Sequence, residues 1–270
     1  MLFDKLLAHP LTRGIDLDDP QLTSLRRRIV KDKRFLREIY VEWYERIVDA
    51  LPQGDGSVLE LGSGAGFLKD YVRELICSEV FLCDGADVVL DAAQLPCSND
   101  SLRAIVMTDV LHHIPNVRSF FSEATRCVRR GGVIAMIEPW VSPWSRFVYT
   151  RFHHEPFDVD ADWEFPDTGP LSGANGALPW ILFARDYQKF RREFPEWQLK
   201  VMEPMMPLRY LVSGGVSMRS LMPGWTHGCW RAAENVVGSW MNVCAMFAYI
   251  VLERGACGQD MLEERPRISD

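Results

Sequence analysis

A basic charge balance is missing from this sequence: 30 Lys and Arg stand against 37 Asp and Glu, a formal net charge of -7. Surfaces built to hold nucleic acid carry a basic footprint, so the balance argues against that partner. Paired cysteines are missing too. The seven cysteines are odd in number, scattered, and contain no C-x-x-C. That excludes a disulfide framework and a zinc knuckle, and it points to a reducing, cytoplasmic compartment. The first residues carry an acid, Asp4, where an export signal has only basic charge, and their apolar run is too short for one. The longest apolar run, 236–252, is interrupted by Gly238, Ser239, Asn242 and Cys244. It sits at the lower limit for crossing a bilayer and reads better as a helix end followed by a strand.

One stretch organises what is there. Val58-Leu59-Glu60-Leu61 is an apolar run carrying one acid, Gly62, Gly64 and Gly66 follow at every second position, and helical periodicity resumes at Phe67-Leu68. This reads as buried strand, tight turn and helix start, with glycines where a backbone must approach a ligand closely. A dinucleotide loop has G-x-G-x-x-G, but Phe67 stands where its third glycine belongs. The pattern is E-x-G-x-G-x-G.

That pattern, and the motifs that follow it as far as Trp140, resemble the class I S-adenosylmethionine-dependent methyltransferases, in the style of the type-11 or UbiE-like group. The resemblance implies a Rossmann-like α/β fold: a seven-stranded sheet, mostly parallel with the last strand antiparallel, and helices on both faces. It implies S-adenosylmethionine as cofactor, held by Glu60, Gly62, Ser63, Gly64 and Gly66. Glu79 to Cys83 reads as the second strand, after a crossover helix over 69–76, and ends on Asp84. Asp84 lies 84 - 66 = 18 residues beyond the last glycine, close to the roughly 20-residue offset at which such folds place a ribose acid. Only Gly85, Ala86 and Asp87 separate it from the next apolar run, Val88-Val89-Leu90, so the helix after that strand is lost. Asp91-Ala92-Ala93-Gln94-Leu95-Pro96 resembles the family segment in which an acid and the next backbone amide meet adenine, which implies that role for Asp91 and Ala92.

The run 104–109 is a buried strand whose end, Thr108 and Asp109, faces the cofactor by the strand-end rule for such sheets. The family pattern implies the same for His113, with a turn-capping structural histidine as the competing reading. Asp109-Val110-Leu111-His112 replaces the N/D-P-P-Y/F turn of enzymes that methylate base amines. A helix over 117–130 and a fifth strand over 133–138 complete this half.

Around it, the sequence divides into an N-terminal helical segment (1–52), the cofactor-binding core (53–138), a cap (139–196), C-terminal strands and helix completing the sheet (197–254) and a disordered tail (255–270). The N-terminal apolar positions have a helical period, and the basic residues 26–37 read as a solvated face. Tyr40 and Tyr44, one turn apart, either reach the cleft or pack in the core. Eight of the nine tryptophans lie after residue 139, which gives the cap an aromatic core or an aromatic pocket. Asp186 is placed to cap a helix carrying Phe190 and Phe194.

His153-His154-Glu155 directly follows the fifth strand's neighbourhood and supplies the candidate catalytic base. As adjacent residues their side chains diverge, so the triplet by itself is no chelate, and no metal is expected. The function implied is methyl transfer to a small-molecule acceptor at oxygen or carbon, hydrophobic or lipid-like by the late methionines Met205, Met206, Met218, Met222, Met241 and Met246. A methyltransferase-like module that binds the cofactor or a partner without catalysis is the alternative. An NAD-linked enzyme is disfavoured by Phe67 and by Asp91-Ala92.

Overall fold

The computed structural model describes residues 7–153, 155–166, 168–169 and 171–255. His154, the first six residues and all of the expected tail beyond Gly255 lie outside the described residues. Seven strands form one sheet in the order β3-β2-β1-β4-β5-β7-β6: β1 Ser57–Leu61, β2 Leu75–Glu79, β3 Val88–Val89, β4 Leu102–Thr108, β5 Val128–Pro139, β6 Trp197–Met205 and β7 Phe247–Arg254. β7 runs antiparallel to both its neighbours, and the β1–β5 pairings are parallel. The period of two along β4 separates two cores. Ile105 and Met107 pack into one with helix α3 (Val117–Cys127), while Ala104 and Val106 face the other.

Helices α1 (Pro20–Asp32) and α2 (Arg34–Ala50) supply that second core. Asp19 caps α1, accepting from Gln21 N at 2.9 Å, and Pro20 at the first position fits a helix start. Phe35, Leu36, Ile39, Trp43 and Ile47 of α2 are almost fully buried against the sheet. This docking answers a gap in the crossover. Between β1 and β2 the expected helix over 69–76 is absent, and Leu68–Asp70 makes a single 3₁₀ turn. The Tyr44 hydroxyl instead accepts from Phe67 N at 3.2 Å, and Tyr44 packs edge-on against Phe67, their centroids 5.0 Å apart.

The second strand lies four residues earlier than its apolar run suggests. Val80 is 49% and Leu82 is 82% exposed, because they follow β2 rather than form it. Polar residues hid the real strand: Ser78 is fully buried and its hydroxyl donates to Glu60 O at 2.7 Å. Two smaller boundaries also shift. α3 stops at Cys127, with Val128–Arg130 already in β5, and Asp186 occupies an N-cap position without capping. Its carboxylate is taken by Trp163 Nε1 at 2.9 Å and by Arg185, which locks the cap's buried tryptophan.

The cap begins with α4 (Pro143–Phe152), whose start is a reciprocal Ser142–Ser145 capping box. It then returns over the carboxyl ends of β4 and β5. Asn175 N donates to His112 O at 2.9 Å and Gly176 N to Pro156 O at 2.9 Å, so the cap is tied both to the sheet and to itself.

Candidate active site

A cavity of about 320 Å³ opens between the glycine loop, the carboxyl ends of the strands, α1 and the cap. The glycine loop is held from below. Gly62 has φ +61, and a Cβ there would lie 2.5 Å from Val110 Cγ2. Gly64 has φ +26 and its N–H donates to Glu79 Oε1 at 2.5 Å. Both line the cavity and both need the freedom of glycine. Gly66 faces the other way, where a Cβ would meet the Tyr44 hydroxyl at 2.3 Å. Ser63 is buried and bonds Ser78 O through both its N–H and its hydroxyl.

Glu60, 3% exposed, lies beneath the loop rather than in the cavity wall, and its carboxyl accepts from Cys77 Sγ at 3.7 Å. Burial pushes it from 4.5 up to about 8. The folded state therefore holds a proton that the unfolded chain has released, and its stabilising effect, full below about 4.5, is lost as pH rises through about 8. In urea unfolding across that window, Glu60→Gln is expected to remove a slope of up to about 1.4 kcal/mol per pH unit. Identical pH profiles for the two proteins would show that Glu60 does not titrate in this way.

Asp84 is a correction. It is exposed, lies outside the cavity wall, and its carbonyl accepts from Arg27 Nη1 at 3.0 Å. The acid at the end of β2 is Glu79, which does line the cavity. Asp91 is likewise outside the wall: its Oδ1 accepts from Ala93 N at 2.8 Å, closing a tight turn, whereas Ala92 lines the cavity as expected. Thr108, Asp109 and His113 all face in.

Asp109 adopts φ +65, unusual for a residue with a side chain, and is held there by its N–H donating to Ile137 O at 2.8 Å. Burial pushes its carboxyl up to about 6. Just beyond it, Glu138 at the end of β5 is fully buried and gathers the turn, accepting from Val110 N and Leu111 N through Oε1. Glu138 Oε2 lies 2.9 Å from His112 Nδ1.

Of the catalytic candidates, His153 and Glu155 line the cavity. Glu155 sits 3.5 Å from His112 Nε2, and the hydrogen bond and charge of His112 hold its carboxyl well below the usual range against the opposing effect of burial. The cavity is also walled by Tyr40, Tyr149, Phe152, Phe157, Tyr210 and Phe247. No tryptophan lines it, so the tryptophans of the cap are core and surface residues while tyrosine and phenylalanine make the pocket.

The basic segment is not wholly a solvated face. Arg26 reaches the cavity and Arg27 Nε donates to Gly66 O at 3.3 Å. Arg26 Nε and Thr108 Oγ1 are buried with no hydrogen-bond partner among the described residues. Two orphaned polar groups in one cavity wall mark positions where a ligand is to bond. Arg26, Glu79, Tyr149 and Tyr210 escaped the sequence analysis.

A mostly parallel sheet with this strand order, a glycine loop after β1, an acid at the end of β2 and an inward-facing β4 end define a nucleotide-binding α/β fold. Residues 59–136 match the family model of a methyltransferase domain, the type-11 group. That segment is a methyltransferase domain, and the enzyme is an S-adenosylmethionine-dependent methyltransferase with S-adenosylmethionine as cofactor. No curated protein sequence matches it. Among solved structures, it is similar to geranyl diphosphate C-methyltransferase from Streptomyces coelicolor A3(2), solved with Mg²⁺, geranyl diphosphate and S-adenosyl-L-homocysteine. Identity is 14% over 92% of this chain and 90% of that one, with a TM-score of 0.47. It is also similar to a chain of the Haloferax volcanii complex between the Trm112 methyltransferase activator and a methyltransferase, at 9% identity over 88% of this chain and 99% of that one, with a TM-score of 0.50. At such identities the likeness is one of fold. Among the described residues no helix is long and apolar enough to cross a membrane.

Proposed function

We propose that the enzyme methylates an apolar small molecule at oxygen or carbon, with the acceptor held against the tyrosine and phenylalanine side chains of the cavity. The observation that carries this reading is the mixed lining of that cavity, in which the glycine loop and Glu79 share the wall with Tyr149, Phe157, Tyr210 and Phe247. When bound, S-adenosylmethionine supplies an electrophilic methyl group on a sulfonium sulfur. Gly62 and Gly64 let the backbone approach its nucleoside. Glu79 takes the ribose role first assigned to Asp84, since a carboxylate accepts from two hydroxyls at once. Ala92 lies beside the adenine, Thr108 offers its unpaired hydroxyl, and Arg26 suits the carboxylate of the methionine end.

Asp109, at the cavity end of β4, accepts the acceptor's proton, and His153 on the cap is the second candidate for that task. Aromatic walls exclude water, which removes solvation that would hold back a reaction neutralising charge. The net charge of -7 supports a small molecule over a nucleic acid, and the described cysteines, all free, support a cytoplasmic setting. Incubating the protein with methyl-labelled S-adenosylmethionine and a total metabolite extract tests the reading. Label is expected in the organic phase. Recovery of label solely in nucleic acid or in the aqueous phase would overturn the apolar acceptor.

A further inference from the structure

We infer that His112, His113 and Glu155 form a binding site for a divalent first-row metal ion of the zinc or iron type. Adjacent residues on a strand or a regular helix point apart. Here the 3₁₀ turn Leu111–His113 brings the two imidazole rings to a centroid distance of 4.2 Å. His112 Nδ1 is 2.9 Å from Glu138 Oε2 and His113 Nδ1 is 3.1 Å from Gly173 O. A carboxylate and a carbonyl can only accept, so each Nδ1 carries a proton and each Nε2 is the ring atom left to meet a metal, which on binding displaces the second proton that His112 carries while it pairs with Glu155. Both Nε2 atoms then turn to one carboxylate. His112 Nε2 lies 3.5 Å from Glu155 Oε2, and His113 Nε2 lies 4.0 Å from Glu155 Oε1.

One ligand atom from each residue can be chosen so that all three lie within 4.8 Å of one another. The His112–Glu155 contact is at the outer limit of a hydrogen bond and the His113–Glu155 one is beyond it, since good hydrogen bonds run at about 2.7–3.2 Å. The 3.5 Å separation matches what an ion between them requires and the others need the cap to close slightly, because ligands at about 2.0–2.2 Å in tetrahedral geometry stand roughly 3.3–3.5 Å apart. Histidines that bind metal characteristically give their other ring N–H to a carboxylate or a backbone carbonyl, which is the pattern at both residues. Two imidazoles and one carboxylate favour zinc or iron over calcium or magnesium, which prefer oxygen alone. His113 and Glu155 line the cavity, so the fourth position faces into it. Two ligands ride on the turn after β4 and the third on the cap, so the ion joins the cap to the sheet directly above the cavity.

The test uses the full chain, stripped with a chelator, desalted and titrated separately with Zn²⁺, Co²⁺, Mn²⁺ and, without oxygen, Fe²⁺. Bound metal is read by mass spectrometry after dialysis, and the Co²⁺ form by its visible absorption. One Zn²⁺, Co²⁺ or Fe²⁺ per chain is expected. Glu155→Gln and His113→Ala should weaken binding by about 100-fold or more, and Glu138→Gln, whose carbonyl can still accept from Val110 N and Leu111 N while its amide no longer accepts from His112, by about 10- to 100-fold. Cys229→Ser, which removes the exposed thiol most prone to adventitious metal, should change nothing. Circular dichroism and S-adenosylmethionine affinity are followed in every variant, so a folded, cofactor-binding protein that has lost metal is distinguished from an unfolded one. Absence of stoichiometric binding of any of the four ions to the folded wild type would overturn the site. So would equal binding by wild type and Glu155→Gln, and the cluster would then be an ion pair between protonated His112 and Glu155.

Discussion

Asp109→Asn is expected to lower turnover by roughly 10²- to 10⁴-fold while leaving S-adenosylmethionine affinity within a few-fold. The carboxyl group stands at the carboxyl end of β4 and lines the cavity. Its backbone, at φ +65, is fixed by the bond from its N–H to Ile137 O. A base that is most effective near neutral pH needs a pKa close to that pH, and burial moves Asp109 to about 6. Asparagine keeps the shape and loses the proton acceptor. Glu155 is less suited to the task, because His112 holds it ionised and its affinity for a proton is low. Single-turnover rates and calorimetry on the same preparations separate chemistry from binding. Normal rates for Asp109→Asn combined with loss of turnover in His153→Ala would transfer the role to His153.

The second large effect concerns the ribose acid. Glu79→Ala removes the group that lines the cavity after β2 and also the acceptor for Gly64 N. Hydrogen bonds to a charged group are worth about 1.5–3 kcal/mol each, so the loss of two predicts S-adenosylmethionine binding weakened by roughly 10²- to 10⁴-fold. Asp84→Ala, out on the surface, should bind as the wild type does. Calorimetric titration of the two variants settles the assignment, and the reverse ranking would restore Asp84 to the site.

That pair also shows how far the residues could be read without coordinates. The glycine loop was legible because few backbones other than a nucleotide cradle need three glycines at alternate positions. The register of β2 was not, since Val80, Phe81 and Leu82 make a better apolar run than Leu75–Glu79. The real strand buries Ser78 and Glu79, whose hydrogen bonds to β1 and to the loop compensate for their polarity. The strand end at Thr108 and Asp109 was readable from a continuous apolar run. The meeting of Glu155 with His112 and His113 was not, because it depends on how α4 returns the chain over the sheet. Periodicity reports the face of an element and carries no information about which distant loop arrives there.

The docking of α2 against the loop has a consequence for what counts as a motif. Residues 62–67 look like a portable cassette, yet much of their conformation is imposed from outside: Tyr44 takes Phe67 N–H, Arg27 takes the Gly66 carbonyl, and Glu79 takes Gly64 N–H. Grafted with β1 alone onto another sheet, the same six residues would keep their glycines and lose their shape. In this enzyme the cradle is a joint property of two helices that precede it and a strand that follows it, and selection on any one of the three is selection on all.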